Sequence, residues 1–350
     1  MRKMKLMSIV GAALAATIFT AFPARAAGAA PPQYAVQKTL PIGGAGRWDY
    51  ALFDPTSQHI YVTRSTHTQV IDPASGKVLQ DITGQERSHG VAVVPALGRG
   101  FISDSGGDGS IVIFDYKTGE VLGKAAAADD ADGLIFDAGT NKILVTCGDA
   151  EKLAVLSPDA DPKNAKADLI DLGGKPEFLA ADGAGKAFVD INSKNEIAVV
   201  DLKTMAVTAD WPTGTGAKPT GLAIDAQHHR LFVGCRNEKM IVMSSEDGHV
   251  IDELAIGKGV DACRYDPGTG QAFASCGDGT LAVIDETSPG KFAVTSVPTK
   301  AGARTMALDA ATHTLYLPTA EFALPEPGEG GKRPAPKAGT FMIVVVAPVK

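Results

Sequence analysis

The sequence has 350 residues, with 33 basic and 40 acidic side chains and therefore a formal net charge of −7. Nucleic-acid-binding proteins usually carry a basic stripe or arm, and no run of Lys or Arg follows the first 26 residues. We therefore expect no nucleic-acid partner.

The first residues have the pattern of a secretory signal peptide. Three basic residues among the first five precede an apolar run at 6–22, and residues 24–26, Ala-Arg-Ala, match a signal peptidase site. The run is shorter than the roughly 20 residues that a membrane-spanning helix needs. We expect cleavage after Ala26, which leaves a periplasmic or secreted protein of residues 27–350 without a membrane span. Cleavage removes four basic and no acidic residues, so the formal charge goes from −7 to −11.

One four-part pattern recurs along the rest of the chain. Its clearest copy comprises the runs 220–225, 231–236, 240–243 and 247–251. The runs are short, rich in Val, Ile, Leu and Phe, and bounded by turn residues, which indicates strands. Some, such as 111–114, are apolar at every position, as expected for a sheet covered on both faces.

The residues that open the first run of each copy are separated by 40, 43, 45, 43, 41 and 43 positions. Propeller blades of four strands repeat at about 40–45 residues. The spacing predicts an all-β fold, a single-domain seven-bladed β-propeller with four antiparallel strands per blade. The opening residues, which we call anchors, are Asp49, His89, Asp132, Glu177, Thr220, Asp261 and Arg304.

The last copy lacks a fourth strand after its third run at 340–346. Residues 34–40, before the first copy, have the pattern of a fourth strand. We therefore expect this segment to complete the last blade and close the ring, which covers an otherwise open sheet edge.

The stretch Ile60-Tyr-Val-Thr63, followed by Gln69-Val-Ile-Asp72 and Ser75-Gly-Lys-Val78, resembles the YVTN/YncE-like β-propeller family. The likeness covers about residues 34–350. Related propellers include lactone hydrolases, dehydrogenase subunits and surface-layer proteins, so the resemblance implies a scaffold rather than a particular reaction.

In a propeller, the segment entering each first strand and the loop between the second and third strands lie on one face, beside the central channel. Carboxylates and His at that mouth can hold a cation or exchange protons, Arg can bind an anion or neutralise carboxylates, and Trp can offer a stacking surface. Alternatively, these residues are polar strand ends that pair across a water-filled channel for structural reasons. The predicted ligand-binding residues are Arg47, Trp48, Asp49, His89, Asp132, Glu177, Arg236, Asp261 and Arg304.

The remaining polar and sulfur-containing residues form no recognisable transition-metal motif. The four cysteines leave three alternatives open: a disulfide, for which Cys235 and Cys263 are the first pair to test, buried thiols, or a thiol that acts as a nucleophile or copper ligand. His228 and His229 are expected in a solvated turn.

A Pro/Gly-rich insertion at 320–339 interrupts the last copy. It is expected on the channel-mouth face, either as a lid or partner-binding strap, or as a tolerated insertion.

These patterns favour a periplasmic binding or scaffold protein, expected as a monomer, whose mouth takes a small polar ligand, a metal ion or a periplasmic protein. One alternative is a divalent-metal-dependent, lactonase-like hydrolase. The other is a scaffold subunit of a periplasmic redox complex. The sequence assigns no cofactor and does not decide whether the protein is an enzyme.

Overall fold

The computed structural model describes residues 31–323 and 335–349. The predicted signal peptide and the middle of the 320–339 insertion lie outside this part of the chain. The described residues are all-β: 27 strands, β1 to β27 in chain order, form six sheets, and a single short 3-10 turn spans Pro95–Leu97. None of these residues forms a helix that is both long and apolar enough to span a bilayer.

Five sheets contain four strands each, and in four of these every strand pairs antiparallel with the next along the chain. The first comprises β9 (Ala131–Asp137), β10 (Lys142–Cys147), β11 (Lys152–Leu156) and β12 (Asp168–Asp171). The second comprises β13 (Pro176–Ala181), β14 (Lys186–Ile191), β15 (Glu196–Asp201) and β16 (Ala206–Pro212). The third comprises β17 (Pro219–Asp225), β18 (Arg230–Cys235), β19 (Lys239–Ser244) and β20 (Val250–Ala255). The fourth comprises β21 (Val260–Asp266), β22 (Gln271–Cys276), β23 (Thr280–Ser288) and β24 (Lys291–Pro298).

The predicted fourth strand at 34–40 does join the last sheet. This sheet has the order β1 (Tyr34–Pro41), β27 (Met342–Pro348), β26 (Thr314–Thr319) and β25 (Ala307–Asp309). The register of β1 on β27 extends from Tyr34 opposite Pro348 to Pro41 opposite Met342. The two ends of the described chain are thereby hydrogen-bonded together.

The first two predicted blades are merged into one seven-stranded sheet, which the sequence did not predict. In order, its strands are β2 (Ala51–Asp54), β3 (His59–Thr63), β4 (Ser65–Ile71), β5 (Val78–Val94), β6 (Arg99–Asp104), β7 (Ser110–Asp115) and β8 (Val121–Ala126).

Strand β5 is the junction of this sheet. Its first half pairs with β4 and its second half with β6. Between the halves, the Asp104 carboxylate accepts the backbone N–H groups of Glu86 at 3.1 Å and Arg87 at 2.7 Å. Because these donors are satisfied where the ladder changes partner, the chain stays extended through the crossing.

The sheets pack face to face, so most strands are covered on both sides. Residues 111–114 are all fully buried, which explains their continuous apolarity. Contacts link β2 to β5, β5 to β9, β9 to β13, β13 to β17, β17 to β21, β21 to β25, and β25 back to β2. The architecture is therefore β-propeller-like, with the first strand of each unit innermost.

Candidate functional site

A repeated hydrogen bond holds the anchors in place. A hydroxyl near the end of a second strand donates to the backbone carbonyl of the next unit's anchor: Thr63 to His89 at 2.6 Å and Thr146 to Glu177 at 2.8 Å. Ser103 bonds the carbonyl of Asp132 in the same way, and Ser275 that of Arg304. These bonds fix the backbones of neighbouring anchors relative to one another.

Three anchors from successive units meet around one imidazole. His89 Nδ1 lies 2.6 Å from Asp49 Oδ2 and 3.3 Å from Asp132 Oδ1. One ligand atom from each of the three residues lies within 4.8 Å of the other two. Asp132 Oδ1 is buried and has no hydrogen-bond partner, because the Nδ1–H is directed at Asp49 instead.

The other imidazole nitrogen is held by Ser105. His89 Nε2 lies 2.9 Å from Ser105 Oγ, whose own hydroxyl is placed to donate to the carbonyl of Arg87 at 3.5 Å. Ser105 Oγ is therefore an acceptor for Nε2–H. This fixes the ring so that Nδ1 faces the two carboxylates.

The environment of His89 favours its protonated form. Burial alone lowers the pKa of His89, but the hydrogen bond to Asp49 and the charges of Asp132 and Asp49 outweigh it and raise the pKa to about 9. Burial raises the pKa of Asp132 well above its usual range, and the carboxylates of Asp49 and Glu177 add to this, whereas His89 opposes it. The three side chains of Asp49, His89 and Asp132 together therefore retain at least one proton at neutral pH.

Two arginines continue the network on the other side of Asp49. The Arg304 guanidinium bonds Asp261 through Nε, and one terminal nitrogen lies 3.4 Å from Asp49 Oδ1. Arg236 lies 2.7 Å from Glu177 and 3.8 Å from Asp261. Each arginine therefore links carboxylates from different units.

These seven residues form one continuous run of charges, which we call the anchor cluster: Asp132, His89, Asp49, Arg304, Asp261, Arg236 and Glu177. Within the described residues, no cationic side chain forms ion pairs with both end carboxyls, Asp132 and Glu177. Lys175, the nearest lysine in sequence to Glu177, pairs instead with Asp130 at 3.5 Å and with Asp149. The anchor cluster thus contains four carboxyl groups and three basic side chains.

Within the anchor cluster, the carboxyl of Glu177 has a raised pKa. Burial, with Asp261 and Asp49 nearby, raises the pKa of Glu177 to about 7 although Arg236 opposes the shift. A carboxyl with this pKa can both accept and release a proton at neutral pH.

Not every predicted site residue joins the anchor cluster. Trp48 is 5% exposed, with its ring centroid 5.5 Å from that of Phe341 and 6.0 Å from that of Phe322, so it is a packing residue. Arg47 is exposed and makes no ion pair among the described residues, although it lines a small crevice together with Arg304. Thr220 is buried, and its hydroxyl bonds the carbonyl of Lys218 at 2.9 Å.

Ser105 was missed by sequence reasoning. It lies 16 residues after its anchor His89, as Arg236 lies 16 after Thr220. Comparing this one repeat position across all copies would have placed Ser105 beside the anchors.

The described ends of the 320–339 insertion lie beside Trp48. Phe322 forms a bridge with Pro336, and Lys337 N–H donates to the carbonyl of Glu321 at 2.7 Å. The Phe322 ring covers Trp48, which contributes to the burial of that side chain.

The four cysteines are free and buried, so the structure favours buried thiols over the Cys235–Cys263 disulfide. His228 is exposed in a turn, with Nδ1 2.7 Å from Asp225. No protein-family model and no curated protein sequence matches the chain.

Proposed function

We propose that the protein is a periplasmic, seven-bladed β-propeller of the YVTN/YncE-like kind that binds a divalent transition-metal ion at the channel mouth. The ring is supported by two features. The halves of β5 belong to two units, which gives seven units of four strands, and the first strands contact one another in an unbroken cycle.

The metal site is carried by one observation, the convergence of Asp49, His89 and Asp132 within 4.8 Å. One imidazole nitrogen and two carboxylate oxygens form a donor set suited to Zn²⁺ and similar ions. With bonds of about 2.0–2.2 Å, tetrahedral ligands lie about 3.4 Å apart. The distance of 3.3 Å between His89 Nδ1 and Asp132 Oδ1 is close to this distance between two ligands.

The remaining contacts suit the same role. When His89 is neutral with its proton on Nε2, Ser105 holds that proton and the Nδ1 lone pair faces the carboxylates. The Asp132 oxygen that has no hydrogen-bond partner becomes a ligand when the ion binds. Three protein ligands leave a coordination position open for water or a small polar ligand.

Isothermal titration of EDTA-treated protein with Zn²⁺ at pH 8 tests this proposal. We expect one site per chain, lost in both His89→Ala and Asp132→Asn. His228→Ala is the matched control, because His228 also pairs with an aspartate at 2.7 Å but lies in a turn outside the anchor cluster. Undiminished binding by both cluster variants, or no binding by the wild type, contradicts the proposal.

A second candidate, a metal-dependent hydrolase acting on lactones or esters, is favoured by the pKa of Glu177 of about 7. That carboxyl, whose charge also acts on Asp132, would be suited to activate a water bound to the ion. A panel of lactones and aryl esters tests this function on the Zn²⁺-loaded protein, with Glu177→Gln as the variant. Activity that needs both the ion and Glu177 supports hydrolysis, and metal binding without turnover supports a binding protein. No contact among the described residues favours the redox-complex scaffold.

A further inference from the structure

A second concave site lies within the ring of first strands, on the side of the anchors away from the charges. It is a cavity of about 490 Å³ lined by residues of β2, β5, β9, β13, β17 and β21. No member of the anchor cluster lines it. Tyr50 and Phe178, with ring centroids 4.8 Å apart, lie at its inner end, and it reaches Pro55 and Pro95 in the turns after the first strands.

The walls of this cavity are mainly apolar. Leu52, Ile135, Phe136 and Ile224 contribute large, partly exposed side chains. Ligand pockets of about 300–1,000 Å³ with apolar walls and a few polar groups are typical small-molecule sites. The volume therefore suits one small organic molecule.

Arg264 is the one cationic side chain in the lining. Its Nη1 donates to the carbonyl of Cys263 at 2.8 Å, and its guanidinium carbon lies 5.5 Å from the centroid of the Phe178 ring. Within the described residues, no carboxylate forms an ion pair with it, whereas Arg236 and Arg304 each contact two.

The one acidic residue in the lining, Asp54, does not neutralise Arg264. Its carboxylate accepts the backbone N–H groups of Thr56 and Ser57 at 3.0 Å each, the Ser57 hydroxyl at 2.6 Å and the Tyr116 hydroxyl at 2.5 Å. The Asp54 carboxylate is therefore already hydrogen-bonded to the turn that follows it and to Tyr116.

A partly buried cation without a counter-charge is unfavourable, and a carboxylate can pair with a guanidinium through two parallel hydrogen bonds. The apolar walls favour a ligand with little other polarity. We propose that this cavity binds a small organic carboxylate with an aromatic or branched apolar body, its carboxylate on Arg264 and its body against Ile135 and Ile224.

Binding of 1-naphthoate to EDTA-treated wild-type protein, followed by ligand fluorescence, tests this site. The uncharged isostere 1-naphthalenemethanol is the comparison. We expect the acid to bind at least tenfold more tightly than the alcohol, because only the acid pairs with Arg264. Equal affinities, or no binding of the acid, overturn the proposal.

Arg264→Gln is expected to reduce the affinity for the acid to that for the alcohol, and Arg264→Lys to retain part of the preference. Arg230→Gln is the matched control, because Arg230 also lies over a phenylalanine ring, Phe292 at 5.9 Å, but is outside the cavity. If Arg264→Gln does not fold, the comparison of acid and alcohol on the wild type decides alone. His89→Ala should leave naphthoate affinity unchanged, which separates this site from the proposed metal site.

Discussion

His89 Nδ1 lies 2.6 Å from the Asp49 carboxylate, although the two residues are 40 positions apart in sequence. They occupy the same position in successive units, so the contact exists only because the first strands of those units lie side by side. The side chains of both residues are 19% exposed, which limits solvent screening of their interaction. The repeat of the fold therefore brings together two of the three proposed metal ligands.

The metal-free protein should lose stability as the pH rises from about 6.5 to about 9. The folded-state pKa of His89, about 9, is above its ordinary value of 6.5, so the stabilisation is complete below pH 6.5 and disappears as His89 deprotonates. Urea unfolding with EDTA at pH 6 and pH 9.5 measures the change. The difference in unfolding free energy between wild type and His89→Gln separates the contribution of His89 from that of Glu177. If this difference does not vary with pH, the prediction is wrong.

Metal binding should release at least one proton below pH 9. Zn²⁺ needs the Nδ1 lone pair of His89, which carries the proton bonded to Asp49. The affinity should therefore rise at least about tenfold per pH unit between pH 6 and pH 8. Titrations in two buffers of different ionisation enthalpy count the protons released, and an affinity independent of pH is the contrary result.

Gly90→Ala should weaken both the fold and the metal site. A Cβ at Gly90 would lie 2.7 Å from Leu134 Cβ and 3.0 Å from the backbone oxygen of Asp132, so the units carrying His89 and Asp132 would be pushed apart. We expect a loss of about 1–3 kcal/mol in unfolding free energy and a weaker affinity for Zn²⁺.

Gly221→Ala is the control for this substitution. A Cβ at Gly221 would lie 3.0 Å from the backbone of Ala262, at the same position between two other units. It should destabilise the fold and leave the Zn²⁺ affinity unchanged. Equal loss of metal affinity in both variants would show that Gly90 acts only through global stability.

Asp190 should be protonated in the folded protein at neutral pH. Asp190 occupies the repeat position at which Thr63, Ser103 and Thr146 carry hydroxyls. Its Oδ1 accepts the N–H of Phe178 at 2.6 Å, and its buried Oδ2 has no hydrogen-bond partner. Burial raises the pKa of Asp190 well above its usual range. Because a raised carboxyl pKa makes stability fall as pH rises, Asp190→Asn should match the wild type at pH 4 and exceed it at pH 9. Thermal denaturation at both values measures this, and a variant less stable at pH 9 contradicts it.

The repeat and the pairing of residues 34–40 with the last sheet were predictable, because strand length, turn residues and the missing fourth strand are local features of the sequence. The merging of two units through β5 was not, since it depends on Asp104 satisfying backbone donors 17 and 18 residues earlier in the chain. Such a contact leaves no periodic signal.

The placement of the anchors at one end of the units was likewise open to prediction, but their pairing was not. Adjacent residues in an extended chain point in opposite directions, which separates Trp48, buried against Phe341, from Asp49 at the cluster. Grouping Arg47 and Trp48 with Asp49 by proximity in sequence overlooked this alternation. Which anchors share a proton depends on distances that only the folded arrangement provides.

Anomalous X-ray diffraction from crystals of the protein soaked in Zn²⁺ would show where the ion binds. A peak within about 2.0–2.2 Å of His89 Nδ1 and of one oxygen each of Asp49 and Asp132 is the predicted result. A zinc peak only at other residues, with the hydrogen bond between His89 and Asp49 intact, would contradict the account.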